Sequence, residues 1–341
     1  WRKPSEVVSV ITVDPPGFRF RWPNSIAFFL VADKPLALVI TGPTASGKSE
    51  LAYSLCERFL DRFELISVDS AQVYRGLDIG AAKPTDAEQR LVPHHLIDIR
   101  DPTDSYTAHD FVTEASRLIE SITARGKTPL LVGGTMLYLK SLRSGMAELP
   151  SASPAVRAAL ESEAAEKGWP YLHERLTKID PAAAARIKPS DRQRLQRALE
   201  VFELTGRKLS DLQAESHSNL TLDTVEVAIE PHDRTELHGR IAARFDQMLE
   251  EGLVPEVEAL RETFDLNPTL PAMKSVGYRQ VWEYLEGEID WAEMRLRGII
   301  ATRQLAKRQL TWLRGWSHLH RLPSPNLDAL LKIKALAHIF G

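Results

Sequence analysis

The chain has 341 residues, 43% hydrophobic and 26% charged, with a formal net charge of −3. That length buries a large core with room for two units, and the balance is that of an ordinary globular protein. A single cysteine, Cys56, excludes a disulfide framework and a Cys-rich zinc site and suits a reducing cytoplasm; no apolar run reaches the length of a membrane span.

Residues 1–33 begin at Trp1 without a methionine. Ile26–Ala32 is apolar but brief, and with Arg19 and Arg21 before it loosely imitates a signal peptide. No small-residue cleavage site follows. The segment is expected to be a poorly ordered extension.

Leu36–Ile40 is an unbroken apolar run of strand length. Gly42-Pro43-Thr44-Ala45-Ser46-Gly47-Lys48-Ser49 follows, and then a helical face of Leu51, Ala52, Leu55, Cys56 and Phe59. Strand, G-x-x-x-x-G-K-[ST] loop and helix together make a phosphate cradle. Backbone amides point at the anion, Lys48 supplies charge, and the Ser49 hydroxyl is a candidate ligand for Mg²⁺. Further strands are expected at Glu64–Val68, Pro93–Ile99 and Thr128–Val132, with a helix over about Ala108–Ala124. Strands alternating with helices imply a parallel sheet whose ligands sit at the carboxyl ends of the strands. The loop, Asp69 and Thr135, each just after a strand, should therefore meet in one site. Asp69-Ser70 reads as a helix N-cap and also as a general base, and Gly133-Gly134-Thr135 as a plain turn or a ligand-facing one.

From Pro150 the texture changes to Ala and charged residues with helical period, up to about Leu212. Val225, Val227 and Ile229 then restore a strand, so 150–216 is expected to be an all-helical insertion within a P-loop NTPase-like core of 34–149 and 217–341. Helices are expected at about Asp233–Glu251, Pro255–Phe264 and Trp291–Leu313. Two basic clusters stand out. Arg186, Lys188, Arg192, Arg194 and Arg197 surround Asp191, and seven Arg or Lys accompany one acid between Ala292 and Arg321. Gln193, Arg194 and Arg197 share the wet side of an amphipathic helix opposite Leu195, Leu199 and Phe202. Arg240 and Arg244 are either helix-surface ion pairs or reach the anion opposite Lys48. His94-His95 lacks metal-like spacing and reads as structural.

Taken in order, GPTASGKS, DSAQVY, HHLIDI, GGTMLYLKSL, QRLQRALEV, RFDQMLEEGLVPEV, KSVGYRQ and TRQLAKRQLTWLR resemble the bacterial tRNA dimethylallyltransferases over Leu36–Leu313. The resemblance implies transfer of a dimethylallyl group from dimethylallyl diphosphate to N6 of the adenosine 3′ to the anticodon, by a cytoplasmic monomer. It implies a loop that holds a leaving diphosphate, a flipped-out target base, Asp69 as base, and Thr44, Lys48 and Arg244 in catalysis. It also implies tRNA contacts at Asp69, Ser70, Ala71, Gln72 and Thr135, and at Arg157, Gln193, Arg194, Leu195, Gln196 and Arg197. Further contacts are implied at Lys274, Ser275, Val276, Gly277, Tyr278 and Arg279, and at Thr302, Arg303, Gln304, Lys307 and Arg308. An adenylate isopentenyltransferase and a P-loop kinase of small metabolites are the alternatives.

Overall fold

A computed structural model describes residues 36–147, 149–215 and 222–340; the extension expected over Trp1–Asp33 lies outside them. In chain order, β1 (Leu36–Thr41) leads through the glycine loop into α1 (Lys48–Arg58), then β2 (Phe63–Val68), α2 (Asp86–Leu91) and β3 (His94–His95). α3 (Ala108–Ala124), β4 (Thr128–Gly133) and α4 (Met136–Ser144) follow. A helical block holds α5 (Pro154–Lys167), α6 (Trp169–Ile179), α7 (Pro181–Ala184), α8 (Arg192–Thr205) and α9 (Leu209–Ala214). β5 (Asp223–Ile229), α10 (Arg234–Glu251), α11 (Leu253–Thr263), α12 (Tyr278–Leu285) and α13 (Trp291–Arg314) come next. β6 (His320–Leu322), α14 (Leu327–Leu331), a 3₁₀ turn at Lys334–Leu336 and α15 (Ala337–Phe340) complete the described chain.

All the strand pairings are parallel, in the order β3-β2-β4-β1-β5-β6. Both faces are covered, which is why the central strands read as continuous apolar runs and do not alternate. Val39, Ile66, Val68 and Leu131 pack on one face with α3 and α10. Leu38, Ile40, Leu65, Leu130 and Val132 pack on the other with α1 and α14, where Cys56 is a buried core residue. The P-loop core and its flanking helices are as expected from the sequence.

The third strand is shorter than the expected Pro93–Ile99. Leu96 and Asp98 have φ of 64° and 56°, left-handed values that an extended strand does not allow. His94 and His95 are structural. His94 Nδ1 lies 2.8 Å from the Val92 carbonyl, and His95 Nε2 lies 2.8 Å from Glu64. Burial alone would raise the Glu64 carboxyl, but hydrogen bonds from Arg125 and His95 hold it down at about 2.

The helical block carries its own apolar core, built on Leu160, Leu172, Leu176, Leu195 and Leu199, yet the chain from Lys34 onward partitions as one compact unit. Glu200 is buried in that block. It accepts bonds from the Ser153 amide (2.8 Å), both Arg157 nitrogens (2.9 and 3.2 Å) and Arg197 Nη1 (2.7 Å). These four donors are what makes a fully buried carboxylate tolerable, and they hold its pKa low against the effect of burial.

Candidate active site

The glycine loop turns through two positions where glycine is required. Gly42 has φ 149°, and a Cβ there would stand 2.6 Å from the Ile229 carbonyl oxygen. Gly47 has φ 90° and caps α1 without any side-chain hydrogen bond to the first helical turn. The leading amides of α1 therefore have no intrahelical partner and no side-chain cap, and the helix dipole adds to their pull on an anion. Ser46 Oγ is fully buried and makes no hydrogen bond. Lys48 folds back on the loop, its Nζ donating to the Pro43 carbonyl at 2.7 Å.

Two other strand ends complete the wall. After β2, Asp69 Oδ1 accepts the amides of Ala71 (2.8 Å) and Gln72 (3.4 Å), an Asx turn that fixes the carboxylate. After β4, Gly133 crosses so close to β2 that a Cβ would lie 2.2 Å from the Val68 oxygen. Thr135 then donates its amide to the Val68 carbonyl (3.1 Å), and its hydroxyl accepts the Ser70 amide (3.1 Å). The loop, Asp69 and Thr135 do meet at the carboxyl edge of the sheet, as strand order dictates.

A side chain the sequence reading did not single out ties these turns together. Gln309 on α13 accepts the Thr44 amide at 2.9 Å through Oε1 and donates to the Gly134 carbonyl at 2.9 Å through Nε2. It is a buried polar residue on a stripe otherwise made of Met294, Ile299, Ala306 and Leu313. A lone glutamine on an apolar stripe was the available signal.

These elements enclose a cavity of about 550 Å³, lined among others by Thr44, Ala45, Asp69, Ser70, Ala71, Thr135, Arg244, Thr302, Arg308 and Gln309, with Lys274–Gly277 on one wall. Asp69 is the one carboxylate among the lining residues. Tyr74 and Tyr106 also line it; burial raises both phenols, and the Tyr106 hydroxyl donates to Glu114 at 2.8 Å. Burial of the Lys48 ammonium, with Arg244 nearby, pushes it from an ordinary 10.5 down to about 7, while Asp69 pulls the other way. Burial lowers Arg244 too, again against Asp69. Asp69 and Arg244 line the cavity, and both act electrostatically on Lys48, so the three groups form one coupled cluster.

The remaining sequence candidates lie elsewhere. The Gln72 side chain is used up within the fold: it accepts from Ser67 Oγ (2.7 Å) and donates to the Ala82 carbonyl (3.0 Å). Tyr278 is buried and donates its hydroxyl to Glu256 at 2.5 Å. Glu256 in turn holds the Ile79 amide at 2.6 Å. The expectation that Leu195 touches RNA is corrected by its 0% exposure in the core of the helical block. Gln196 donates to the Arg157 carbonyl and to Glu161, and Arg157 and Arg197 are taken by Glu200. Gln193 and Arg194 are exposed, Arg194 beside Asp191 at 3.1 Å. Arg279 pairs with Glu283, and Arg303 is half-buried with its Nε unpartnered. Gln304 and Lys307 are exposed on α13.

Residues 72–316 match the family model described as IPP transferase. The chain is 53% identical over 296 residues to the tRNA dimethylallyltransferase of Ralstonia pickettii (strain 12J), covering 85% of this chain and 90% of that protein. It is 58% identical over 279 residues to the tRNA dimethylallyltransferase of Burkholderia thailandensis, covering 81% and 86%. Among solved structures, it resembles the tRNA isopentenylpyrophosphate transferase of Bacillus halodurans with TM-score 0.63 and 36% identity, over 87% of this chain and 93% of that one. A eukaryotic dimethylallyltransferase acting on tRNA aligns with TM-score 0.71 and 29% identity, over 90% and 78%.

Proposed function

The chain belongs to the IPP transferase family, and from that premise we propose that it moves the dimethylallyl group of dimethylallyl diphosphate onto N6 of the adenosine 3′ to the anticodon in tRNA. The observation that carries this reading is a single cavity lined by Thr44 and Ala45 of the glycine loop, by Asp69 and Thr135 at two further strand ends, and by Arg244. It acts as a monomer in the cytoplasm, where its tRNA substrate is.

In the reaction the C1–O bond of the donor breaks and its electron pair leaves with diphosphate. The N6–C1 bond forms and N6 loses a proton. The exocyclic amine is a weak nucleophile because its lone pair is delocalised into the purine, so a base must take the proton as the bond forms. Asp69 has the placement for this, its carboxylate held by two backbone amides and facing the cavity. The leaving diphosphate gathers charge where the uncapped α1 amides, Lys48 and Arg244 converge. Thr44 and Thr135, both lining the cavity, position the donor and the adenine edge. The loop on this reading grips a leaving diphosphate and not the triphosphate of ATP.

Mg²⁺ fits the site. Ser49 is exposed in the first turn of α1, and no group of three or more His, Cys, Asp or Glu among the described residues could hold a metal alone. An ion here would take the Ser49 hydroxyl, with its other ligands from the donor's diphosphate and water. Its chemistry would be neutralisation of charge on the departing diphosphate. A stacked anticodon-loop base must be extruded to reach Asp69, while Lys274–Gly277 and the exposed Arg194 grip the loop backbone. In the described residues no helix is long and apolar enough to cross a membrane.

The test is single-turnover transfer from labelled dimethylallyl diphosphate to unmodified tRNA by the unaltered protein and by Asp69→Asn. The variant keeps an oxygen to accept the Ala71 and Gln72 amides but cannot take a proton. Loss of transfer with donor binding retained is expected; unimpaired transfer overturns the assignment of the base.

A further inference from the structure

We propose that Trp312 is a stacking platform for a nucleobase next to the target in the RNA loop, with Lys140 and Arg308 as the cations that hold the adjoining phosphates. The proposal rests on the RNA-modifying reading above and names a recognition element within it. Trp312 lines the cavity and is still 38% exposed, and Leu137, also on the cavity wall, is 53% exposed. Both are large apolar side chains left open to water on the cavity wall. Isolated exposed apolar residues need no explanation, but a pair at the edge of a cavity marks a place where something apolar is set down.

The local chemistry selects a base. Trp312 is on the last turn of α13, one turn beyond Arg308, and Leu137 and Lys140 are i, i+3 neighbours on the first turns of α4. The Lys140 ammonium stands 5.6 Å from the centroid of the Trp312 ring, a cation–π contact. Among the described residues neither Lys140 nor Arg308 forms an ion pair. Two other basic side chains of α13 are ion-paired, Arg295 with Asp246 and Arg297 with Glu283 and Glu293, and neither of these lines the cavity. An indole with Lys140 against its ring and Arg308 one turn earlier on the same cavity wall, with no acid among the cavity residues but Asp69, matches how proteins hold single-stranded nucleic acid, by base–aromatic stacking and phosphate neutralisation. A small prenyl donor would need the aromatic surface but not two outlying cations.

The test uses the full chain with an anticodon stem-loop RNA in which the nucleotide on either side of the target is made abasic in turn. With the unaltered protein, one of the two abasic RNAs should raise KM by roughly tenfold to a hundredfold, the range a lost base–aromatic stack gives. Trp312→Ala should raise KM for the intact RNA by a similar factor and lose sensitivity to that abasic site. Its KM for dimethylallyl diphosphate should be unchanged and its kcat little changed. Trp312→Phe, which keeps a stacking face, should stay within about threefold of the unaltered protein, and its thermal midpoint shows that the fold stands. Full additivity of Trp312→Ala with both abasic sites would overturn the platform, as would a KM effect confined to the donor. Failure of the unaltered protein to modify any RNA would overturn the reading underneath it, a result distinct from additivity.

Discussion

The depressed pKa of Lys48 makes donor binding depend on pH in a direction that can be stated in advance. In the free protein the ammonium titrates at about 7 where an ordinary lysine titrates at 10.5, because desolvation and the charge of Arg244 both disfavour its charged form. A diphosphate beside it adds negative charge and restores the charged form, so binding above pH 7 must take up a proton. With the bound lysine back near its ordinary value, linkage gives a loss of affinity of roughly fiftyfold between pH 7 and pH 9. The accompanying uptake is about half a proton per donor at pH 7 and about one at pH 9. Calorimetry in buffers of different ionisation enthalpy reads both quantities. Lys48→Arg, charged throughout this range, should bind with a much flatter profile and no uptake, which separates the lysine from any ionisation of the donor. The same shift acts on stability with the opposite slope. Between pH 7 and 10.5 the unfolded chain holds the proton that the ligand-free protein has released, so the ligand-free protein should become more stable relative to Lys48→Arg as pH rises through that window. A flat affinity profile with no proton uptake would show that Lys48 does not face the diphosphate.

Other perturbations separate the working parts. Gln309→Leu should cost about 1 kcal/mol for each of its two hydrogen bonds; because these join the glycine loop to Gly134, single-turnover transfer should fall more than the melting temperature suggests, and an equal fall in both would make Gln309 merely structural. Glu200→Ala strips a fully buried acceptor from Arg157, Arg197 and Ser153 and should lower stability by about 3 kcal/mol in urea titrations, an effect absent from Arg194→Ala. Arg194→Ala should instead weaken tRNA binding and reduce its salt slope by about one, and an unchanged slope would remove the helical block from the RNA surface. Glu64, held at about 2 by Arg125 and His95, contributes stability above the ordinary carboxylate pKa that is lost as pH falls from about 4.5 toward 2; Glu64→Gln should flatten that part of the acid-unfolding curve.

The core of the site was legible because chemistry and topology pointed the same way. A glycine loop between an apolar run and a helical face admits little else, and Asp69 and Thr135 follow apolar runs that a parallel sheet brings to one edge. What was not legible depends on long-range contact. His320–Leu322 is too short and too polar to read as a strand, and it pairs with β5 only because the sheet leaves that edge open. Arg197 read as part of a basic cluster and Arg157 as an implied RNA contact until folding set Glu200 between them, three residues from Arg197 and forty-three from Arg157. Leu195 is the converse case: helical phase already set it opposite Gln193, Arg194 and Arg197, and only the resemblance counted it among the RNA contacts. Gln309 drew no notice because its two partners lie 265 and 175 residues away. The left-handed turns at Leu96 and Asp98 that end β3 occur at residues with no turn signal as strong as glycine.

The most direct test incubates the protein with Mg²⁺, labelled dimethylallyl diphosphate and unmodified tRNA, with AMP and ATP as parallel acceptors. The expected result is label in tRNA alone, lost when the target adenosine is replaced and absent with Asp69→Asn. Label in AMP or ATP, or transfer of the γ-phosphate from ATP with no prenyl transfer at all, would contradict it.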